Sequence, residues 1–238
     1  MKSIHLAQAR YLNLPTANQT NAAVLLMKCR NMEAVLKRSL AYRHSRYPEQ
    51  AITLMHSIAE LQKVFALLKT AQTSRNLFLA EARATKIYWS SYRLFIRAPA
   101  DWKRIHPGGS DPWNQTLNIG YTLLSRKVRA MIVRAGLDPE IGTLHASKHG
   151  RDALVYDLME LCRQPIVDVA VMRVFARVSN PSDQDPHQVI RECAIRCKGI
   201  RSYFGRRMDR QKIMELEIRR FKKAVIEGQI FQPVMIRL

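Results

Sequence analysis

From Asn18 onward the apolar residues recur at threes and fours, the spacing of a helix face rather than the alternation of a strand. Leu25, Leu26, Cys29, Met32, Leu36 and Leu40 follow an Asn/Thr cap region, and Pro48 interrupts them. Ile52, Met55, Ile58, Leu61 and Leu68 resume the pattern, so residues 18–70 predict a helical hairpin. Ahead of it Ile4, Leu6, Tyr11, Leu12 and Leu14 show no clear period, which leaves a short strand or an arm ending at Pro15. Thr73 or Ser74 can cap a third helix running to about Phe95. The DPWN turn at residues 111–114 starts another, with Leu117, Tyr121, Leu124, Val128 and Met131/Ile132 inward and a stop at Gly136 and Pro139. Ile166 to Val178 is apolar, and after the polar turn SNPSDQDP a final helical run places Ile213, Leu216, Phe221 and Val225 in the core. The pattern is all-α.

Three places depart from simple amphipathic patterning. Glu81 falls on the apolar face of the third helix with Leu77, Ala84 and Tyr88. An acid there is tied to Arg75 or Arg83, or it meets a bound cation, because burial without a partner is costly. The stretch from Gly136 to Asp168 puts His145 on a Gly-punctuated loop and then Asp157 and Glu160 three residues apart among Ala153, Leu154, Leu158 and Leu161. On a helix both acids share a face. Imidazole and carboxylate together suit Mg²⁺ or Mn²⁺; the alternative is a capped helix whose acids pair with Arg151 and Arg163. Finally, the loop Ala98–Asp111 carries Lys103, Arg104 and His106 between prolines and glycines, as a mobile DNA-contacting or lid segment or as a plain linker.

Charge sharpens this picture. The chain of 238 residues holds 39 Lys+Arg against 19 Asp+Glu, a net +20, while its 47% hydrophobic content is that of a folded globular protein. Such a surface attracts phosphates. Arg126, Lys127, Arg129 and Arg134 decorate the DPWN helix, and the last third adds a dense single-sign run including Arg206 and Arg207 beside Tyr203 and Phe204, a nucleic-acid-facing surface. No apolar run approaches the roughly 18 residues of a membrane span and no signal peptide opens the chain, so the expectation is a cytoplasmic protein with no membrane partner. Cys29, Cys162, Cys193 and Cys197 fit a reducing compartment; the last two, four apart, suit a helix seam rather than a CxxC pair. Gly-rich phosphate loops, nucleophile elbows and zinc patterns are absent from the sequence.

In order, NLFLAEARATKIYW, then DPWNQTLNIGYTLLSRKVRAMIVRAGLDPEIGTLH, then GRDALVYDLMELCRQPIVD resemble the CRISPR-associated spacer-acquisition integrases, the CRISPR-associated endonucleases. The match runs from about Asn76 to Asp168 and covers a Glu followed by an aromatic pair, a G-x-x-P-x-I-G-x-x-H loop and a D-L-x-E-x-x-R segment. The resemblance implies an α-helical catalytic domain in residues 73–238, preceded by an arm and hairpin in 1–72. It implies a Mg²⁺ or Mn²⁺ site built from Glu81, His145 and Glu160, with Asp157 as adjacent acid, and transesterification that joins 3′-hydroxyl ends of short DNA to a CRISPR repeat. Lys148, Arg151 and Arg163 would clamp phosphates. The family's usual N-terminal β domain, which helps form the dimer and dock a small ferredoxin-like partner protein, is expected to be absent or reduced to a vestige in residues 1–17, since the residues before Glu81 read mostly helical. That puts the partner in doubt and predicts a homo-oligomer assembled through residues 18–70, where Leu25, Leu36, Ile58 and Leu61 exceed the needs of a small core. A related transposase-type recombinase and a non-catalytic helical DNA-binding protein are the alternatives.

Overall fold

The structure, a computed structural model, describes residues 2–145, 152–236 and 238. Its helices are α1 (Lys2–Tyr11), α2 (Pro15–Arg43), α3 (Pro48–Thr70), α4 (Ser74–Tyr92), α5 (Pro112–Arg134), α6 (Ala153–Met159), α7 (Val169–Ala176), α8 (Gln188–Lys198) and α9 (Arg210–Glu227). A π-helical turn at Arg163–Asp168 links α6 to α7, and β1 (Ile200–Tyr203) pairs with β2 (Arg206–Asp209) as an antiparallel hairpin. The all-α class is the observed one. Thr73 caps α4 by accepting from the Asn76 amide at 3.2 Å, and Asp111 caps α5 by accepting from the Asn114 amide at 2.9 Å.

Two segments differ from the pattern-based expectation. Residues 2–11 form a helix, not a strand or arm. Its inner stripe is Ile4, Ala7, Gln8 and Tyr11, and the buried glutamine hides the periodicity. Gln8 Nε2 donates to the carbonyls of Asp138 (3.0 Å) and Ile141 (3.3 Å), while its Oε1 accepts from the Asp138 amide (2.9 Å), so α1 holds the loop after α5. The final helical run is split by the hairpin. Phe204 and Gly205 both take positive φ, 46° and 78°, as a two-residue hairpin turn of matching twist demands. Arg206 and Arg207 therefore stand on a strand rather than a helix. Tyr203 is buried and donates to Glu217 Oε1 at 2.5 Å; Phe204 stays exposed.

The buried residues form one continuous core from Tyr11 to Ile236. α2, α3 and α4 pack together, with Leu25, Leu36, Ile58 and Leu61 all inside. Those four are thus consumed by the chain's own core and offer nothing to a second copy, a correction to the interface expected of them. The exposed apolar residues of this region are others: Ile52, Met55 and Leu67 on α3, Phe78 and Leu79 on α4. Among the described residues α3 alone is long and apolar enough to cross a membrane by length and composition. The cysteines are free and buried, Cys193 and Cys197 facing inward from α8.

Candidate active site

Glu81 projects from α4 beside buried Leu77, Ala84 and Tyr88, and Glu160 is the residue at which α6 ends. The helix stops because Pro165 follows. Proline lacks the N–H that would bond the Leu161 carbonyl in a continuing helix, and that carbonyl accepts instead from Asn31 Nδ2 of α2 at 3.0 Å. Glu160 keeps helical backbone angles at the end of α6 and reaches Lys28 of α2, and the chain then turns through Arg163–Asp168.

Glu81 and Glu160 meet at Lys28. Its Nζ lies 2.5 Å from Glu81 Oε1 and 3.1 Å from Glu160 Oε2. Thr85 Oγ1 donates to the same Glu81 oxygen at 2.8 Å. Arg83, one of the cations expected beside Glu81, pairs with Glu60 at 2.8 Å instead. Burial opposes the charge on Lys28, but Glu160 and Glu81 more than reverse this and hold its pKa above the ordinary value. Burial likewise works against ionised Glu160, and Arg163 and Lys28 outweigh it, so the carboxyl sits below its usual range. Lys28 and Glu160 therefore both carry charge at neutral pH. Sequence reasoning missed Lys28. The signal was present, a lysine set on the apolar stripe between Leu25 and Met32.

Asp157 has a different task. Its Oδ2 accepts from the amides of Thr143 (2.6 Å) and Leu144 (3.0 Å), and its Oδ1 from the amide of His145 (3.0 Å). His145 Nδ1 lies 2.6 Å from that Oδ1. Asp157 is thus a buried clasp that fixes the loop and the imidazole, leaving Nε2 as the ring nitrogen to act outward. Gly142 lets the loop lie this close: a Cβ there would come within 2.7 Å of Asp157 Oδ2 and of the Ala153 carbonyl carbon.

The residues fit a divalent cation in part. Two carboxylates already surround one positive centre, and Glu160 Oε2 is buried without a hydrogen bond, its contacts with Lys28 and with Arg163 Nε (3.4 Å) lacking hydrogen-bonding geometry. Oxygen donors of this kind suit Mg²⁺ or Mn²⁺. The ammonium of Lys28 fills the space between the two carboxylates. Among the described residues no group of three or more His, Cys, Asp or Glu is arranged to hold a metal: the structure joins Glu81 to Glu160 and His145 to Asp157.

The expected phosphate-binding residues divide. Lys103, Arg126, Arg206 and Arg207 are exposed. Arg163 and Arg104 are not free clamps, because both guanidiniums stack over the Tyr121 ring, at 5.2 and 5.5 Å. Arg104 also donates to Asn114 Oδ1 (2.8 Å) and Asn118 Oδ1 (2.7 Å), so the loop at residues 98–111 is tied down rather than loose. Trp102 Nε1 adds a bond to Asp111 at 3.1 Å. Lys148 and Arg151 lie outside the described residues. Beneath the site Tyr88 and Tyr121 donate to the two oxygens of buried Asp168, and Tyr92 to its main-chain oxygen, a knot joining α4, α5 and the π-helical turn. Burial raises the Asp168 pKa more than these donors lower it.

A sequence profile of the family described as CRISPR associated protein Cas1 matches residues 2–205. A CRISPR-associated endonuclease Cas1 of Francisella tularensis subsp. novicida is 31% identical over 174 residues, 73% of this chain and 52% of that protein. One from Pyrobaculum aerophilum is 40% identical over 114 residues, 48% of this chain and 37% of that protein. The chain thus spans about half or less of the length of these relatives. A casposase solved bound to its integration product shares the fold with a TM-score of 0.79 at 21% identity, over 97% of this chain and 71% of that one.

Proposed function

The chain belongs to the Cas1 family of CRISPR-associated proteins, and on that premise we propose that it is a divalent-metal-dependent DNA integrase and endonuclease of CRISPR adaptation. The observation that supports this most is the convergence of Glu81 and Glu160, from separate elements, on a single cationic centre at Lys28. Glu81, Glu160 and the free Nε2 of His145 are the proposed ligands of Mg²⁺ or Mn²⁺ once Lys28 withdraws. When bound there, such an ion supplies charge neutralisation at the attacked phosphate. Asp157 holds the His145 ring in one orientation. The exposed Lys103, Arg126, Arg206 and Arg207 hold duplex DNA by its phosphates.

The proposed reaction is phosphodiester transfer. The 3′-hydroxyl oxygen of a short duplex forms a P–O bond as a bond within the repeat strand breaks. One proton leaves the incoming hydroxyl and one reaches the departing oxygen, so the number of phosphodiesters is unchanged and no protein nucleophile is required. Joining both ends of one fragment needs two such centres, which supports a homo-oligomer; a small ferredoxin-like partner protein would be a further component of that assembly.

The test is strand transfer of a labelled duplex into repeat DNA with Mg²⁺ or Mn²⁺, for wild type, Glu81→Gln and Glu160→Gln. Each substitution is expected to lower transfer by at least about a hundredfold while duplex affinity stays within a few-fold, because binding is spread over many cations. Full activity in either variant would remove that residue from the centre.

A further inference from the structure

The hairpin between α8 and α9 presents a residue that neither the core nor the carboxylate site uses. Phe204 stands at its tip, 69% exposed, with a φ of 46°. A bulky side chain seldom accompanies that backbone, and such a conformation persists only where its surroundings fix it. Here they do. The preceding Tyr203 is buried and donates to Glu217 Oε1 at 2.5 Å. Arg220 Nη1 donates to the same oxygen at 2.5 Å and its Nη2 to the Gln232 carbonyl at 2.8 Å, while Glu217 Oε2 accepts from the Val234 amide at 2.9 Å. The guanidinium pinned in this way lies over the Phe204 ring at 5.5 Å, and the Tyr203 ring meets it edge to face at 4.7 Å. The aromatic ring is thus held outward by anchored neighbours rather than carried on a loose loop.

The ground around it is cationic. Arg206 and Arg207 follow on β2, both exposed, and neither has an ion pair or side-chain hydrogen bond among the described residues. The hairpin's one acid, Asp209, is engaged as the cap of α9, accepting from the Lys212 amide at 2.7 Å. An exposed ring beside unanswered arginines suits a ligand with a flat π-face and negative charge on either side of it, which describes a nucleobase in its strand. An apolar protein side chain would use the ring and leave the guanidiniums unanswered. Within duplex DNA each base is covered above and below by its neighbours, so a free face belongs to an unpaired base.

We propose that Phe204 is a stacking platform for an unpaired nucleobase at an open end of the DNA, with the charge of that strand met by Arg206 and Arg207. That the ligand is DNA rests on the joining function proposed above; the rigid ring beside unpaired arginines does not. In that reaction the platform would distinguish open ends from closed ones, which makes Phe204 a residue of substrate choice rather than of chemistry.

The test compares the full chain with Phe204→Asn and Phe204→Tyr. Asparagine before glycine is favoured in a turn with positive φ at both positions, so the hairpin keeps its shape without the ring. Thermal unfolding checks this, and Phe204→Gly takes its place if the asparagine variant does not fold. Each protein is titrated with a blunt labelled duplex and with the same duplex carrying a short single-stranded extension. One base of the extension is a fluorescent purine analogue whose emission falls when it stacks. Wild type is expected to prefer the extended duplex and to quench the analogue. Phe204→Asn should bind the extended duplex at least about fivefold more weakly, lose the quenching, and change less toward the blunt one; Phe204→Tyr should keep both. Equal affinity and equal quenching in wild type and Phe204→Asn would overturn the platform, whatever the strand-transfer assay gives. An equal loss on both duplexes, with no quenching by wild type, would also overturn it and make the ring part of a general grip on duplex. Quenching that depends on Phe204, in a protein that transfers no strand, would sink the integrase reading and leave this one standing.

Discussion

At the scale of single residues, the centre of the molecule is a compromise between three charges. Lys28 neutralises two acids that would otherwise repel each other, and it is 7% exposed. Replacing it by Met should destabilise the protein by about 3–5 kcal/mol in chelator, the usual cost of stripping one member from a buried ionic group. Millimolar Mn²⁺ should return most of that loss, since an added ion would take over the role of the ammonium. Denaturant unfolding with and without the ion checks both halves; a variant as stable as wild type in chelator would mean that Lys28 holds nothing together. Glu81 was legible in the sequence because an acid on an apolar face is conspicuous. Lys28 was not, because in an Arg-rich segment one more cation reads as surface. The tyrosine knot around Asp168 was hidden for a similar reason: Tyr88 and Tyr121 look like core aromatics until their hydroxyls find a shared carboxylate.

Among elements, the loop after α5 and the short α6 behave as one unit. Asp157 gathers three backbone amides and an imidazole from that loop. Asp157→Ala should therefore leave several buried donors unpaired, at about 1–3 kcal/mol each for those that water cannot reach. It should also speed hydrogen exchange at residues 143–145 by an order of magnitude or more and lower activity through a misplaced His145. Exchange measured by mass spectrometry would check this, and unchanged protection there would make Asp157 a bystander to the loop. The cap at Asp111, the cap at Thr73 and the stop at Gly136 were all readable from local chemistry. The break at Pro165 was not read, and its consequence could not be, because the answering group, Asn31, lies 130 positions earlier than the Leu161 carbonyl it serves. The same limit concealed α1, whose inner face is completed by a glutamine that only a distant loop can satisfy.

For the whole molecule, a net charge of +20 announced phosphate as a partner without saying where. Folding sorts those cations into exposed residues such as Arg126 and Arg207, stacked ones such as Arg104 and Arg163, and buried ones such as Arg196. The sequence could not separate them, since a solvated arginine and a stacked one have the same neighbours along the chain. The four sealed thiols offer a way to watch these regions move. Burial pushes Cys29 and Cys193 up to about 12 and raises Cys162 and Cys197 as well, so none is reactive while closed. Cys29 and Cys162 adjoin Lys28 and Arg163, whereas Cys193 and Cys197 flank Arg196. Alkylation then times how often each neighbourhood opens, one pair of clocks at the carboxylates and another at the α8 seam. Mn²⁺ should slow the first pair by about a hundredfold at a hundred times its dissociation constant and leave the second running. If the ion slowed all four equally, the protein would be opening as one body, and the carboxylate centre and the α8 seam would be parts of a single mechanical unit.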